Sequence, residues 1–366
     1  MRPASAAERA VSIDAMRGAA LGGVLLVNLL TGFRAPLSSH LLGADEPLGP
    51  GGSFILAAVA ALIEFKAFTI FSFLFGAGVA IQAERTGGSQ RTGFLLLRFG
   101  ALLAIGAVHL LLMWNGDILA LYAVCGILLL PVLRLPDFAL AAIGLVLICG
   151  PHFAPLPVPF PDRAALSELS AGALRVYPAG TWPELLAFRW RETQTLILPL
   201  LALSLPRTLG LMLWGVAARR RGLLEGRPRL WRWMVGLGAA AGIAGLSLRN
   251  EQLATVPLAF AYAGAFLLWQ PGAGWFAPGG RMALTNYLLQ SIVFGFVFYS
   301  YGLGWFAQVG AGAAAAGGLT LFCAQLMGSR WWLTRFHFGP AEWVWRSISY
   351  RRWQPFLRAD ARGPQL

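Results

Sequence analysis

The sequence predicts an all-α polytopic integral membrane protein with about ten transmembrane helices and with both termini in the cytoplasm. Of its 366 residues, 57% are hydrophobic and only 12% are charged, and the mean hydropathy is +0.64. So few charged side chains cannot cover the water-facing surface of a soluble protein of this length. Apolar runs of span length also recur along the chain, and basic residues concentrate in short tracts between them.

Helices long enough to cross a bilayer need about 20 residues for a hydrocarbon core of about 30 Å. An apolar stretch at 51–64 is too long to join the span that follows it, so we expect a separate helix in the outer leaflet. By this criterion of length, the predicted spans are 11–33, 65–84, 94–114, 117–134, 137–151, 194–218, 233–249, 254–270, 282–301 and 305–328.

The distribution of basic residues fixes the predicted orientation. The net charge is +13, and Arg and Lys cluster in segments 85–98 and 219–232 and in the C-terminal tail. Ten spans place all three clusters on the same side, which the positive-inside rule assigns to the cytoplasm. Because the positive charge flanks apolar segments, the sequence predicts contact with membrane lipids and no nucleic-acid partner.

The ten spans divide the chain into three predicted regions. Residues 1–151 form an N-terminal half with five helices, and residues 194–366 form a C-terminal half with five helices and a cytoplasmic interfacial tail. Between them, 152–193 is predicted to be an outward-facing loop that begins with closely spaced prolines in an extended conformation. In the tail, Pro340 suits a first helical turn, and Glu342 and Arg346 are expected to pair at i and i+4.

The first span carries polar residues that are costly in hydrocarbon and therefore candidates for a site. Helical spacing places Asp14, Arg17 and Asn28 near one face, since Arg17 and Asn28 lie about 20° apart in projection. We predict that all three bind substrate. The alternative is that Asp14 and Arg17 form only an interfacial ion pair.

The strongest predicted constellation is His109 with Asp117 and Tyr122. His109 falls in the outer half of the third span, and Asp117 opens the fourth span after a tight turn. A hydrogen bond from Asp117 would fix the tautomer of His109 and raise its basicity, as a catalytic base or nucleophile requires. We therefore predict His109 and Asp117 as catalytic and Tyr122 as substrate-binding. The alternatives are a packed, hydrogen-bonded histidine and an aspartate that only caps its helix.

Four further residues are predicted to bind substrate. Lys66 starts the second span at a depth near that of His109, although it could equally extend to the outer headgroups. Asn286, Tyr287 and Gln290 lie in the cytoplasmic half of the ninth span. Since Asn286 and Gln290 are one turn apart, they suit either a polar ligand or hydrogen bonds between helices.

Several kinds of chemistry find no support in the sequence. The four histidines are scattered and no His, Cys or carboxylate set has metal-ligand spacing, so no metal is predicted. Neither a P-loop nor a nucleophilic serine elbow is present.

Five motifs in one order along the chain resemble the YeiB-like family, whose C-terminal half is a domain of unknown function. They are SIDAMRG at 12–18, FSFLFGAG at 71–78, His109 with GDILALYA at 116–123, GRMALTNYLLQS at 280–291 and FGPAEWVWR at 338–346. The N-terminal half of that family is similar to the transmembrane acyltransferase superfamily. The resemblance implies that His109 is the acyl acceptor or general base and that the motif from Asp14 to Arg17 lies near the donor.

We therefore predict a membrane acyltransferase that moves an acyl group from a cytoplasmic thioester, such as acyl-CoA, to an acceptor at the outer face. The predicted partners are membrane lipids, a small-molecule, lipid or glycan acceptor, and a second copy of the chain, and the predicted location is a bacterial-type inner membrane. A secondary transporter or lipid-handling protein is the alternative, marked by polar residues on broken helices. A membrane scaffold is the third hypothesis, which the tryptophan-rich tail would suit.

Overall fold

The computed structural model describes residues 6–43, 50–86, 90–248, 251–270 and 273–358, which fold into helices joined by short connections. These helices are α1 (Ala6–Asn28), α2 (Leu37–Leu41), α3 (Pro50–Leu62), α4 (Lys66–Arg85), α5 (Gln90–Val108), α6 (Leu119–Leu129), α7 (Asp137–Phe153), α8 (Arg163–Ala179), α9 (Trp182–Glu192), α10 (Leu198–Arg220), α11 (Pro228–Ser247), α12 (Glu251–Trp269), α13 (Ala273–Arg281), α14 (Ala283–Phe298), α15 (Ala311–Arg335) and α16 (Pro340–Ser349).

Each predicted span coincides with a helix, but not every helix is long and apolar enough to cross a bilayer. Within the described ranges, the stretches that meet this test are Val11–Phe33, Gly51–Arg85, Arg91–Met113, Trp182–Arg220 and Ala311–Arg335. The pair α13 and α14 adds a sixth if it counts as one bent span, and α6, α7 and α12 are shorter apolar helices. The chain is thus a helical membrane protein with five to six candidate spans. The number ten and the side of the termini stay predictions.

Large apolar side chains cover much of the outer surface of the helices. Phe138 and Val146 of α7 and Leu237 of α11 are among the exposed ones. Water would not stabilise so many exposed apolar groups, whereas lipid tails would. The exterior therefore agrees with the composition in favouring a membrane.

Regular helix is interrupted at points that matter for the site. Helix α5 continues into a π-helical turn at His109–Met113, and α1 ends in a similar turn at Leu29–Phe33. Phe65, at φ 58°, separates α3 from α4, as expected for an independent helix before the second span. Between α13 and α14 the chain bends by 79°. Such breaks in membrane helices are tolerated where they are buried in protein or line a cavity.

The segment 152–193, predicted to be an outward-facing loop, contains two helices after its extended start, and its position outside the membrane stays a prediction. Only its proline-rich start is non-helical, and α8 and α9 occupy the remainder. Asp162 caps α8 by accepting a hydrogen bond from the backbone N–H of Ala165, and Thr181 with Glu184 forms a capping box on α9. These local caps allow helices to form in a segment whose prolines favoured an extended chain.

The two predicted halves pack closely against each other. Helix α10 lies against α4, where Gly76 and Gly215 allow such a close approach that a β-carbon on either would overlap the opposite backbone. Helix α1 likewise packs on α13. Small residues at helix contacts let dispersion contacts hold membrane helices together. The boundary between two five-helix halves stays a prediction.

Helix α16 begins at Pro340 and is only ten residues long, as expected for a short helix rather than another span. It packs against α5 and α14. The predicted ion pair between Glu342 and Arg346 is not formed. Glu342 instead accepts hydrogen bonds from backbone N–H groups at the start of α14. The free N–H groups and the dipole at a helix N-terminus make it a favourable partner for a carboxylate.

Candidate functional site

His109 and Asp117 form a fully buried pair. The imidazole Nδ1 lies 2.8 Å from Oδ1 of Asp117, and both side chains have 0% exposure. The other carboxylate oxygen accepts a hydrogen bond of 2.7 Å from the backbone N–H of Ala120. Asp117 therefore both caps α6 and holds the imidazole. The predicted contact is present, while its catalytic role stays a prediction.

Ser291, which is distant from His109 in the sequence, is the third member of this buried group. Its Oγ lies 2.8 Å from Nε2 of His109, and the side chain is buried. Because an ionised carboxylate only accepts, the hydrogen on His109 belongs on Nδ1, which leaves Nε2 to accept from the Ser291 hydroxyl. Ser291 was not among the predicted site residues, since no serine elbow marks it and it lies 182 positions from His109.

A cavity of about 190 Å³ ends beside this group. Its inner wall includes the predicted residues Tyr122 and Tyr287. The Tyr287 ring lies 5.0 Å from the imidazole ring, centre to centre, so it separates the cavity from His109. Tyr122 is fixed by a hydrogen bond of 2.8 Å between its hydroxyl and that of Ser72. The apolar throat above them is lined by Leu21, Val24, Phe71, Phe75, Phe99, Leu102, Ile118 and Leu119.

Four arginines surround the other end of the cavity. Arg17, Arg98, Arg281 and Arg346 come from α1, α5, α13 and α16 and all line it. Of these, Arg98 lies over the ring of Trp345 at 3.6 Å, which orients the planar guanidinium. Guanidinium groups bind phosphates and carboxylates through paired hydrogen bonds. The cavity therefore has an arginine-rich end, here called its mouth, and an apolar interior.

Two carboxylates lie near this mouth, and both accept hydrogen bonds from the protein. Asp14 accepts a hydrogen bond of 2.9 Å from Arg17. Glu342 accepts from the backbone N–H groups of Leu284 and Thr285 and from the Thr285 hydroxyl. Burial raises the pKa of Glu342 above its ordinary value, although these hydrogen bonds act in the opposite direction. The four arginines outnumber the two carboxylates, so the mouth favours an anionic ligand.

Other predicted site residues lie outside the cavity. Asn28 ends α1 and is half-buried. Lys66 is buried at the break before α4 and donates a hydrogen bond of 2.9 Å to the carbonyl of Ala60. Lys66, predicted to bind substrate at a depth near that of His109, is not among the residues that line this cavity, and its role in binding stays a prediction. Its ammonium is held by the chain that breaks between α3 and α4.

Asn286 and Gln290 bridge α14 and α15. The Asn286 amide donates to Ser329 Oγ at 2.9 Å, and Gln290 donates to the Gln325 side chain at 2.8 Å. Gln325 in turn donates to the carbonyl of Asn286. The sequence left open whether these two amides bind a polar ligand or form hydrogen bonds between helices, and in the structure they form hydrogen bonds between helices. Neither residue lines the cavity, whereas Tyr287 between them does.

A second buried polar cluster supports the segment before Asp117. Glu192 accepts hydrogen bonds of 2.6 Å from Asn115 and from the hydroxyl of Tyr177. Arg189 donates to the carbonyl of Leu112 at 2.8 Å. The sequence placed Arg189 and Glu192 in an exposed loop, so this cluster was missed. Their i, i+3 spacing with apolar neighbours is also typical of a surface helix, and no local signal distinguishes the two cases.

Among the described residues, no group of three or more His, Cys, Asp and Glu side chains could hold a metal ion. The side chains that the structure brings together at this site are the imidazole, carboxylate and hydroxyl of His109, Asp117 and Ser291.

Comparison with known proteins identifies one matching family and several similar bacterial proteins. Residues 240–352 match the family described as "Protein of unknown function (DUF418)". The chain is 29% identical to "Uncharacterized protein YxaH" of Bacillus subtilis, with 98% of each chain covered. It is 27% identical to "Uncharacterized protein YeiB" of Escherichia coli, with 97% of this chain and 100% of the relative covered.

No solved structure matches the chain. The DUF418 match includes Tyr287, Ser291 and Glu342, while His109 and Asp117 precede it. The site thus combines residues from inside and outside the DUF418 match. The similarity to these relatives covers both parts, since it extends over nearly the whole chain. The DUF418 match and the similarity to YxaH and YeiB together support a YeiB-like family for this chain.

Proposed function

We propose that the protein is a membrane acyltransferase. The observation that carries this proposal is the hydrogen-bonding of His109, with Asp117 on one ring nitrogen and Ser291 on the other. A histidine held by a carboxylate, with its free nitrogen directed at a hydroxyl, can act as a base during acyl transfer. In hydrocarbon such a polar group is costly, which favours a functional role.

The adjoining cavity supports a thioester donor with a phosphorylated carrier. Arg17, Arg98, Arg281 and Arg346 at its mouth would bind phosphate groups, and the apolar throat would hold the acyl arm. A donor bound in this way directs its thioester toward Tyr287 and His109. Acyl-CoA has this combination of a phosphorylated head and an acyl arm, and we propose it as the donor.

The predicted orientation makes the mouth of the cavity cytoplasmic. Arg98, Arg281 and Arg346 lie in segments that the positive-inside rule assigns to that side. The acceptor, a hydroxyl or amine on a small molecule, lipid or glycan, would then approach His109 from the outer face. We propose the bacterial cell membrane as the location, in keeping with the bacterial relatives.

A secondary transporter is the second candidate. The 79° bend between α13 and α14 favours it, because discontinuous helices commonly form the substrate sites of transporters. The two functions differ in one measurable respect, since a transporter releases its substrate chemically unchanged.

The test is consumption of acyl-CoA by purified protein in lipid nanodiscs, with a panel of hydroxyl and amine acceptors. We expect the wild type to release free CoA, and His109→Ala and His109→Gln to lose about 10² to 10⁴ in rate. His152→Gln, at an exposed histidine near the end of α7, is the matched control and should keep full turnover.

Equal turnover by the wild type and both His109 variants would remove His109 from the chemistry. If the wild type consumes no donor of any chain length with any acceptor, the acyltransferase proposal is wrong and transport becomes the better hypothesis.

A further inference from the structure

Ser291 occupies the position that a nucleophile would take. Its Oγ is 2.8 Å from Nε2 of His109, while Asp117 holds the opposite ring nitrogen at 2.8 Å. We propose that Ser291 becomes acylated and carries the acyl group as an ester from the donor to the acceptor. This inference rests on the proposed acyltransferase function and names the covalent intermediate of that reaction.

The hydrogen-bond pattern provides the activation that a serine needs. A hydroxyl is a weak nucleophile at its own pKa and requires an adjacent base, which in turn needs a third group to orient it. Here Asp117 is fixed by the backbone N–H of Ala120, so its other oxygen keeps the His109 ring in place. The second contact of the Ser291 hydroxyl, to the carbonyl of Tyr287, is longer at 3.4 Å. Its proton is thus directed to His109.

Burial favours two successive reactions over one. His109, Asp117 and Ser291 have 0 to 2% exposure and do not line the cavity. A reactant can therefore reach them only after a side chain moves, and admitting one reactant at a time requires less movement than admitting donor and acceptor together. Tyr287, one turn before Ser291 on α14, lies between the cavity and His109, so its side chain must move to admit the thioester. When it returns, the ester is closed off from the cavity and from water.

The first reaction acylates the enzyme. Ser291 Oγ attacks the thioester carbonyl carbon as its proton passes to Nε2 of His109. The C–S bond then breaks, and the departing thiolate takes that proton, which leaves free thiol, neutral His109 and an ester on Ser291.

In the second reaction the acceptor hydroxyl or amine gives its proton to Nε2 and attacks the ester carbonyl. The bond to Oγ breaks, and Oγ recovers the proton. The sum converts thioester and acceptor into thiol and acylated acceptor, with no change in oxidation state.

The alternative is direct transfer, in which Ser291 only donates a hydrogen bond to His109. An exchange experiment without acceptor distinguishes the two. Purified wild-type protein is incubated with acetyl-, butyryl- or palmitoyl-CoA and isotopically labelled free CoA, and label entering the acyl-CoA is measured. Exchange requires that the acyl group leave CoA and return to it, so an acyl-enzyme predicts exchange and direct transfer predicts none.

We expect exchange by the wild type, and a fall of about 10²-fold or more in Ser291→Ala and His109→Gln. Ser247→Ala, at an exposed serine of α11, is the matched control and should exchange at the wild-type rate. Ser291→Cys keeps a nucleophile of similar size, so it should retain exchange and accumulate a thioester. Mass spectrometry of quenched protein should place one acyl group on the peptide containing Ser291, released by hydroxylamine.

Transfer to an acceptor without exchange would overturn the Ser291 intermediate and leave the acyltransferase proposal intact. Wild-type exchange by Ser291→Ala, or an acyl group located on another residue, would overturn it in the same way. Absence of both exchange and transfer in the wild type would overturn the two proposals together.

Discussion

Glu342 of α16 caps the N-terminus of α14 through Thr285, accepting hydrogen bonds from its backbone N–H at 3.0 Å and from its hydroxyl at 2.5 Å. Helix α14 carries both Tyr287 and Ser291. The C-terminal helix therefore positions the wall of the cavity as well as contributing Arg346 to its mouth. A short helix outside the candidate spans thus supports the buried site.

Replacing Glu342 should destabilise the protein. Glu342→Ala leaves the buried donors of Leu284 and Thr285 without their acceptor, and each unsatisfied group costs about 1 to 3 kcal/mol. Thermal unfolding in detergent should show a lower midpoint than the wild type. Glu168→Ala, at an exposed ion pair with Arg191, is the control and should change stability by less than about 1 kcal/mol. Equal midpoints for both variants would contradict the capping role.

Asp117→Asn should abolish turnover while keeping the shape of the site. The amide can donate to Nδ1 of His109, which favours the tautomer with hydrogen on Nε2, and that nitrogen then cannot take the Ser291 proton. A wrong tautomer of this kind costs on the order of 10⁴ in rate. CoA release measured beside Asp162→Asn, which alters only the cap of α8, tests this. Turnover within tenfold of the wild type would exclude Asp117 as the orienting group.

The arginines at the cavity mouth should act on the phosphorylated part of the donor. Arg17→Gln and Arg281→Gln should raise the KM for acyl-CoA by about 10- to 100-fold, since a charge-assisted hydrogen bond contributes about 1.5 to 3 kcal/mol. Neither variant should affect the KM for an S-acyl pantetheine, which lacks phosphate. Arg163→Gln, at the start of α8, is the control. Equal losses with both donors would place these arginines elsewhere in the mechanism.

Tyr287 should control access of water to the acyl group. Tyr287→Ala removes the ring between the cavity and His109, and we expect faster hydrolysis of acyl-CoA without acceptor and less transfer with it. Tyr287→Phe keeps the ring and should resemble the wild type in hydrolysis, because the hydrogen bond that it removes, from the Tyr287 hydroxyl to the Gly116 carbonyl, is long at 3.5 Å. Unchanged hydrolysis in Tyr287→Ala would show that another residue closes the site.

The amide contacts between α14 and α15 should contribute to stability rather than to donor affinity. Gln325→Leu removes the partner of Gln290, and such hydrogen bonds within membranes average about 0.6 kcal/mol with a maximum near 1.7. We expect a small fall in the unfolding midpoint and an unchanged KM for acyl-CoA. A large change in KM without a change in stability would favour ligand binding by these amides.

The sequence alone determined that the chain is helical, that it belongs in a membrane and that His109 lies near Asp117. Composition and the length of apolar runs suffice for the first two, because they depend on transfer from water to lipid and not on the arrangement of helices. The third follows from eight residues that span one hairpin, where local geometry fixes the distance. The break between α3 and α4 was also predicted from the sequence, because the two apolar stretches together are too long for one span.

Only the tertiary structure decided which helix faces meet. Ser291 contacts His109 across 182 positions, and the four arginines of the cavity mouth come from four helices. Lys66 lies outside the cavity despite its similar predicted depth. In a soluble protein, polar and apolar stripes would indicate which faces turn inward. Here lipid-facing surfaces are as apolar as the interior, as exposed Phe138 and Val146 illustrate, so periodicity carries little information about packing. Close contacts at small residues and hydrogen bonds between helices select the arrangement, and they exist only once the helices have packed.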